Sequence, residues 1–122
     1  MIKIVVADDE PLHLDVVEAM LERAGYSVIT VGDGKTCLKY LQNNDVDLVI
    51  TDIFMQGSDG FGLISAIKEQ GIKAPIVAMT GGFKGDIASY QEIMVKLGAL
   101  AVLSKPFTQE QLLTTVNMAL KT

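Results

Sequence analysis

Short apolar segments alternate along the chain with longer stretches in which apolar positions recur at helical spacing. The apolar segments are rich in Val, Ile, Leu, Ala and Met and lack a regular alternation with polar residues. Continuous apolar runs of this length are typical of strands that are buried on both faces of a sheet. Five such strands are predicted: Ile2–Ala7, Val28–Val31, Leu48–Thr51, Ile76–Met79 and Ala99–Leu103.

Five helices are predicted after these strands, from apolar stripes and from residues that favour helix ends. Pro11 is a favoured first helical residue, and the sequence Thr108–Gln111 matches a capping box. Glycine is expected to end two of the helices, at Gly25 and at Gly98. The predicted helices are Pro11 to Gly25, about Lys35 to Asn43, one that carries Leu63, Ile64 and Ile67, Asp86 to Gly98, and one that follows Thr108.

This alternation of strands and helices predicts an α/β fold, in which helices cover both faces of a parallel sheet. The chain has 122 residues, which is the length of one domain, and its 49% of hydrophobic residues is enough for a sizeable core. We therefore expect a single domain over residues 1–122. Because the last predicted helix ends almost at Thr122, no output domain is expected in this chain.

Charge and composition narrow the expected partners and location. The formal net charge of −5 argues against direct binding to nucleic acid or to an anionic membrane surface. There is no secretory signal pattern and no apolar run near the roughly 20 residues of a membrane span, so a cytoplasmic protein is expected. The single cysteine, Cys37, excludes an internal disulfide and is expected to pack as a small apolar side chain.

Polar and charged residues follow four of the five predicted strands. They are Asp8, Asp9 and Glu10 after the first, Asp52 after the third, Thr80 after the fourth, and Ser104 and Lys105 after the fifth. The second strand is followed only by Gly32 and Asp33, and we assign it to an edge of the sheet. Ligands of open α/β sheets bind outside the carboxyl ends of the strands, so these side chains are predicted to form one site.

This set of side chains suits phosphoryl transfer to a carboxylate. Neighbouring carboxylates repel one another unless a cation joins them, and a site that also holds phosphate oxygens favours magnesium. A carboxylate can be the nucleophile, and a metal, a lysine and a hydroxyl can neutralise the transferred group. Taken singly, Asp8 and Asp9 also fit a helix cap, Asp52 a turn, and Lys105 a solvated loop. The combination at four strand ends carries the prediction.

Four segments, in this order and spacing, resemble the receiver family of response regulators over essentially the whole chain. They are Val6–Pro11, Thr51–Met55 with Asp59-Gly60, Met79–Gly81 and Leu103–Phe107. The resemblance implies a flavodoxin-like, doubly wound (βα)5 fold whose parallel five-stranded sheet has the order 2-1-3-4-5. It also implies that Asp52 accepts the phosphoryl group, that Thr80 hydrogen-bonds it, and that Lys105 pairs with it and with Asp52. The backbone amides of Phe54 and Gly81 would contact phosphate oxygens.

The resemblance further implies a cofactor and partners. Magnesium would be coordinated by Asp9, Asp52 and the backbone carbonyl of Phe54, with Asp8 acting through water. The donor would be a phosphohistidine on a sensor histidine kinase or a histidine phosphotransfer protein, and the output a downstream protein partner. A monomer is expected by default, with a dimer as the alternative. Such a domain catalyses its own phosphorylation and dephosphorylation, and is not a turnover enzyme on small substrates.

Two departures from the family pattern concern the switch that follows phosphorylation. Val102 stands where the family usually has Tyr or Phe, and the loop Thr80–Asp86 is rich in glycine. One hypothesis is that reordering of this loop, with Phe83 changing contacts, replaces the usual aromatic switch. The alternative is that Phe83 only packs. His13 lies in the first turn of a predicted helix, where a solvated surface histidine is favoured over a role in donor docking.

Three other functions are alternatives to phosphoryl acceptance. A phosphohydrolase of the haloacid-dehalogenase kind needs Asp-x-Asp after its first strand, where this chain has Asp8-Asp9, and a cap domain that 122 residues do not accommodate. A flavin-binding flavodoxin-like module needs a phosphate loop where Asp8, Asp9 and Glu10 would repel phosphate. A receiver-like module that docks partners without phosphorylation stays the main alternative because of Val102.

Overall fold

Five parallel strands form the central sheet of the computed structural model, which describes residues 1–55, 58–81, 92 and 95–122. The strands in chain order are β1 (Lys3–Ala7), β2 (Ser27–Val31), β3 (Leu48–Asp52), β4 (Phe54–Met55), β5 (Ser58–Asp59), β6 (Ile76–Thr80) and β7 (Ala101–Ser104). The two-residue strands β4 and β5 pair only with each other, antiparallel. The other five confirm the predicted strands, with ends that differ by one or two residues.

The sheet has the order β2-β1-β3-β6-β7, and each neighbouring pair is parallel. Counted over these five strands alone, this is the order 2-1-3-4-5 that the resemblance implies, and β2 lies at an edge as predicted. In the sheet, β2 lies on one side of β1 and β3 lies on the other, so the chain changes direction at β1. Such a change of direction opens a crevice at the carboxyl ends of the central strands, which is where ligands of doubly wound folds bind.

Helices cover both faces of the sheet and enclose two apolar layers. They are α1 (Pro11–Arg23), α2 (Gly34–Asn43), α3 (Gly60–Glu69) and a C-terminal helix (Gln109–Leu120). Along β3, Val49 packs in the layer beneath α2 and α3, while Leu48 and Ile50 pack in the layer beneath α1 and the C-terminal helix. Every residue of β3 is buried, which agrees with the apolar run Leu48–Ile50 that precedes Thr51 and Asp52. None of the helices that the structure describes is long and apolar enough to cross a membrane.

The predicted helix ends are largely confirmed. Pro11 begins α1, and Gly25 follows its end with a φ of 93°, a conformation that glycine adopts without strain. Most of the predicted helix from Asp86 to Gly98 lies outside the described residues. Residues 95–97 are helical, and Gly98 follows them with a φ of 122°, so the predicted end of that helix is confirmed.

The capping box of the C-terminal helix is present and gives a first testable prediction. Thr108 Oγ1 accepts from the backbone N–H of Gln111 at 3.1 Å, and the Gln111 side chain accepts from the Thr108 N–H at 2.8 Å.

Thr108→Ala is expected to lower the free energy of unfolding by about 1 kcal/mol, because one capping bond is lost. Denaturant titration measures this. Thr114→Ala is the matched control, since Thr114 is exposed in the middle of the same helix, and an equal loss there would contradict the assignment.

Two side chains that the sequence singled out pack on the layer beneath α2 and α3. Cys37 is fully buried there, as predicted, and burial raises the pKa of its thiol to about 12, so the thiol is uncharged at neutral pH. Val102 is half-buried against the same layer and so has a packing role. Residues 82–86 of the glycine-rich loop, which include Phe83, lie outside the described residues. The hypothesis that this loop reorders on phosphorylation therefore stays a prediction.

Candidate functional site

The sheet brings the predicted site residues to one edge. Asp8 follows β1 and lies beside Asp52, the last residue of β3, because these two strands are neighbours. Thr80 ends β6, and the backbone N–H of Lys105 donates to the Thr80 carbonyl at 2.7 Å, which extends the pairing of β6 with β7. The acidic, hydroxyl and lysine groups therefore meet at the carboxyl ends of four strands, as the sequence predicts.

Asp8 is fully buried and accepts three hydrogen bonds. Its Oδ1 accepts from the backbone N–H of Glu10 at 3.0 Å, and its Oδ2 accepts from Lys105 Nζ at 3.0 Å and from His13 Nδ1. Burial alone raises the pKa of the Asp8 carboxyl, but these donors outweigh burial and lower the pKa below its usual value. Asp8 does not cap α1, because the N-cap residue is Glu10 and no side-chain capping bond is present.

Asp52 is also buried, but its carboxylate accepts fewer hydrogen bonds from the described residues than that of Asp8. Its Oδ2 accepts from Lys105 Nζ at 2.9 Å, and its Oδ1 accepts from the backbone N–H of Phe54 at 3.3 Å. Burial raises the pKa of Asp52, the charge of Asp8 raises it further, and the bonds from Lys105 and Phe54 offset this only in part. The two carboxyls thus differ in the direction of their pKa shifts because Asp8 has the additional donors Glu10 and His13.

Lys105 is the shared counter-ion of the two carboxylates. Its side chain is 18% exposed, and its ammonium group donates to both Asp8 and Asp52. Burial lowers the pKa of this ammonium, but the hydrogen bonds and charges of the two carboxylates outweigh burial and raise it. Lys105 is therefore charged at neutral pH and holds together two groups that would otherwise repel each other. A solvated loop lysine, the alternative left open by the sequence, is not what the structure contains.

Asp9 completes an acidic cluster with Asp8 and Asp52. One carboxylate oxygen from each residue lies within 4.8 Å of the other two. Such hard oxygen ligands suit magnesium or calcium, so the cluster fits the predicted cation in chemistry and spacing. The backbone carbonyl of Phe54, predicted as a further ligand, belongs to β4 just beyond Asp52, and its role stays a prediction.

Thr80 provides a buried hydroxyl at the same edge. Its Oγ1 is buried and has no hydrogen-bond partner among the residues that the structure describes. Buried hydroxyls nearly always have a partner, because an unsatisfied one costs about 1–3 kcal/mol. The Thr80 hydroxyl is therefore suited to a ligand oxygen. Gly81, the next residue, lies close to the side chain of Lys105, since a Cβ on Gly81 would lie 3.2 Å from Lys105 Cβ. Amide contacts of Gly81 and Phe54 with phosphate stay predictions.

His13 is part of the site, and the expectation of a solvated histidine is wrong. Its Nδ1 bonds to Asp8 Oδ2, and its side chain is only 20% exposed. The ring packs edge-on against Phe107, with centroids 5.7 Å apart and an interplanar angle of 77°. The signal available in the sequence was the position of His13, in the first turn of a helix that begins directly after the acidic segment.

Gly60 is a second residue whose importance the sequence interpretation missed. Its N–H donates to the carbonyl of Ile53 at 2.8 Å, so α3 begins against the backbone of the acidic strand end. A Cβ on Gly60 would lie 2.5 Å from the carbonyl oxygen of Asp52 and 2.6 Å from Ile53 Cα. Only glycine permits this close approach. The signal was the pair Asp59-Gly60 within the segment that resembles the receiver family.

Two known proteins are similar in sequence to this chain over nearly all of its length. The chain is 30% identical over 119 residues to the alkaline phosphatase synthesis transcriptional regulatory protein PhoP of Bacillus subtilis, covering 98% of this chain and 48% of that protein. It is 31% identical over 113 residues to the sensor histidine kinase RcsC of Salmonella typhi, covering 93% of this chain and 12% of that kinase. It thus spans about half the length of the first relative and a small part of the second.

Solved structures and a family model identify the domain itself. The Francisella response regulator 1452 receiver domain superimposes with a TM-score of 0.91 at 26% identity, covering 99% of this chain and 98% of that one. The family model of the response regulator receiver domain matches residues 4–117, which include the acidic cluster, Thr80 and Lys105. With the doubly wound sheet and the shared lysine at its carboxyl edge, this match shows that the chain belongs to the response regulator receiver domain family.

Proposed function

We propose that this receiver domain accepts a phosphoryl group on Asp52 from a phosphohistidine donor, in a reaction that depends on magnesium. One observation carries the proposal: the ammonium of Lys105 is bonded to two buried carboxylates, beside a buried Thr80 hydroxyl that lacks a partner in the described part of the chain. A carboxylate nucleophile, a cation and a hydroxyl donor at one sheet edge are the groups that phosphoryl transfer to a carboxylate requires.

The residues of this chain would have distinct roles in the transfer. A carboxylate oxygen of Asp52 forms a bond to phosphorus while the P–N bond of the donor phosphohistidine breaks, which leaves an acyl phosphate. Lys105, already bonded to Asp52, would turn to a phosphoryl oxygen, and the Thr80 hydroxyl would donate to another. The backbone amides of Phe54 and Gly81 would complete the contacts. Because Lys105 and Thr80 already lie at this sheet edge before the reaction, only a local reorientation of the lysine side chain is needed.

The acidic cluster is the proposed magnesium site. Asp9, Asp52 and the Phe54 carbonyl would bind the ion directly, and Asp8 would act through water, since its carboxylate already accepts three hydrogen bonds. Bound magnesium would neutralise charge on the carboxylates and on the transferred group. The excess of negative charge in the cluster favours the approach of a cation before that of phosphate.

The proposed partners are a phosphohistidine protein upstream and a protein downstream. RcsC is named a sensor histidine kinase and PhoP a transcriptional regulatory protein, so sequences similar to this chain occur on both sides of such a relay. We place the domain in the cytoplasm, as a monomer that catalyses its own phosphorylation and dephosphorylation and does not turn over small substrates. Phosphorylation would shift an existing conformational equilibrium and so change partner binding.

Intact mass spectrometry with a small phosphoryl donor tests the proposal. Phosphoramidate is expected to add one phosphoryl group to the wild-type protein in the presence of Mg²⁺ and none when Mg²⁺ is chelated. Asp52→Asn is expected to abolish the gain. Asp33→Asn is the matched control, because Asp33 is a partly exposed aspartate that caps α2, and this variant should still be labelled. Equal labelling of the wild type and Asp52→Asn would contradict the proposal.

A further inference from the structure

His13 and Lys105 share one oxygen of Asp8 but are held in different ways. Both donate to Asp8 Oδ2, yet Lys105 also donates to Asp52 at 2.9 Å, whereas His13 bonds to Asp8 and packs against the ring of Phe107. The lysine side chain is long and flexible, and in the proposed function it turns to the phosphoryl group. The imidazole is short and lies in the first turn of α1. Of these two side-chain donors to Asp8, His13 is thus the one that can keep its hydrogen bond when the domain is phosphorylated.

The hydrogen bonds leave Asp8 with a defined orientation toward the cluster. Each carboxylate oxygen has two lone-pair directions. On Oδ2 both are used, by His13 and Lys105, whereas among the described residues Oδ1 accepts only from the Glu10 N–H, which leaves it one direction. Hydrogen bonds to metal-binding carboxylates fix their orientation, and their loss typically weakens metal binding about 10- to 100-fold.

We propose that His13 is a positioning residue for the cation site: through Nδ1 it fixes the Asp8 carboxylate in the orientation that holds the metal through water, and it does so independently of Lys105. The packing of its ring against Phe107 keeps the imidazole in place. This inference rests on the proposed function, because it assigns His13 to the magnesium site of that function. A purely structural role, in which the ring only joins α1 to the loop before the C-terminal helix, makes different predictions.

The test is the dissociation constant of Mg²⁺ for the unphosphorylated protein, measured by isothermal titration calorimetry. His13→Ala is expected to bind Mg²⁺ about 10-fold more weakly than the wild type. His13→Asn should restore most of the affinity, because its amide nitrogen occupies the same δ position as Nδ1. His13→Gln, whose amide lies one bond farther out, should not restore it. Leu12→Ala is the control, since Leu12 is 81% exposed on the same turn, and it should bind Mg²⁺ like the wild type.

The glutamine and asparagine variants separate positioning from space-filling. If His13 only fills space, glutamine, which is closer to histidine in size, should bind Mg²⁺ at least as tightly as asparagine, and that result would overturn the inference. Wild-type affinity in His13→Ala would also overturn it. Thermal melts check that each variant is folded, and if the alanine variant is not, the asparagine and glutamine pair decides.

Labelling of the same proteins with phosphoramidate distinguishes a failure of this inference from a failure of the proposed function. We expect His13→Ala to be labelled more slowly at low Mg²⁺ and at nearly the wild-type rate once Mg²⁺ is saturating. If the wild type is labelled and His13→Ala is unaffected at low Mg²⁺, the inference alone is overturned. If the wild type is not labelled at all, the proposed function is overturned, and with it the inferred role of His13.

Discussion

Replacing Gly60 by alanine is expected to lower the free energy of unfolding by about 3 kcal/mol. The new Cβ would lie 2.5 Å from the Asp52 carbonyl oxygen and 2.6 Å from Ile53 Cα. Both atoms are backbone and cannot move aside as a flexible side chain would. Alanine otherwise favours a helix, so the sign of the effect depends on this clash alone. Urea titration followed by circular dichroism measures the loss.

The same substitution should impair labelling in any protein that remains folded, because relief of the clash displaces the backbone of Asp52. Gly32→Ala is the matched control. Gly32 follows β2, and a Cβ there would have no atom within 4 Å, so its effect should stay within about 0.5 kcal/mol. A Gly60→Ala protein as stable as Gly32→Ala would show that α3 can begin without this close approach.

Replacing Lys105 by methionine should destabilise the metal-free protein by about 3 kcal/mol, the second large effect that we expect. Methionine retains much of the apolar stem but removes the ammonium bonded to Asp8 and Asp52, and two buried carboxylates then lack their common counter-ion. Thermal melts in a chelating buffer measure the loss. Added Mg²⁺ should recover part of it, because a bound cation replaces the missing charge.

The pH dependence of this loss follows from the direction of the Asp52 shift. The pKa of Asp52 is higher in the folded state than its usual value, because burial and the charge of Asp8 raise it. The stabilising contribution of an acid whose pKa is raised in the folded state is fully present below the unfolded pKa and is lost as the pH rises through the folded pKa. The loss in Lys105→Met should thus be smaller near about pH 5 than near about pH 8.

Lys96→Met is the control for this effect. Lys96 pairs with Glu92 at 3.4 Å on an exposed helix surface, where an ion pair contributes little. Its substitution should change stability by less than about 1 kcal/mol at either pH. Similar losses in Lys96→Met and Lys105→Met would contradict the account of Lys105 as a buried counter-ion.

The sequence predicted most of this fold because its local patterns agree with one another. Continuous apolar runs located the five strands, and residues such as Pro11, Gly25 and Thr108 located helix ends to within a residue or two. Site residues that follow strands, such as Asp52 and Lys105, were predictable because parallel strands place their carboxyl ends at one edge. These inferences need only the order of elements and the direction of the strands.

The parts that the sequence did not predict depend on distances between atoms of different elements. A histidine in a first helical turn is usually solvated, and only the positions of Asp8 and Phe107 show that His13 is not. The need for glycine at position 60 comes from the approach of α3 to the backbone of Asp52, a distance that the pair Asp59-Gly60 in the sequence does not give. The opposite pKa shifts of Asp8 and Asp52 likewise depend on how many donors reach each carboxyl.

Chemical mapping of the phosphoryl group is the most direct test of the central claim. Borohydride reduces an acyl phosphate of aspartate to homoserine, so the protein would be labelled with phosphoramidate and Mg²⁺, reduced, digested and analysed by mass spectrometry. We expect homoserine at position 52 in the labelled protein and none when Mg²⁺ is omitted. Homoserine at another aspartate, or at none, would contradict the claim, and its complete absence would instead support a receiver-like module that docks its partners without being phosphorylated.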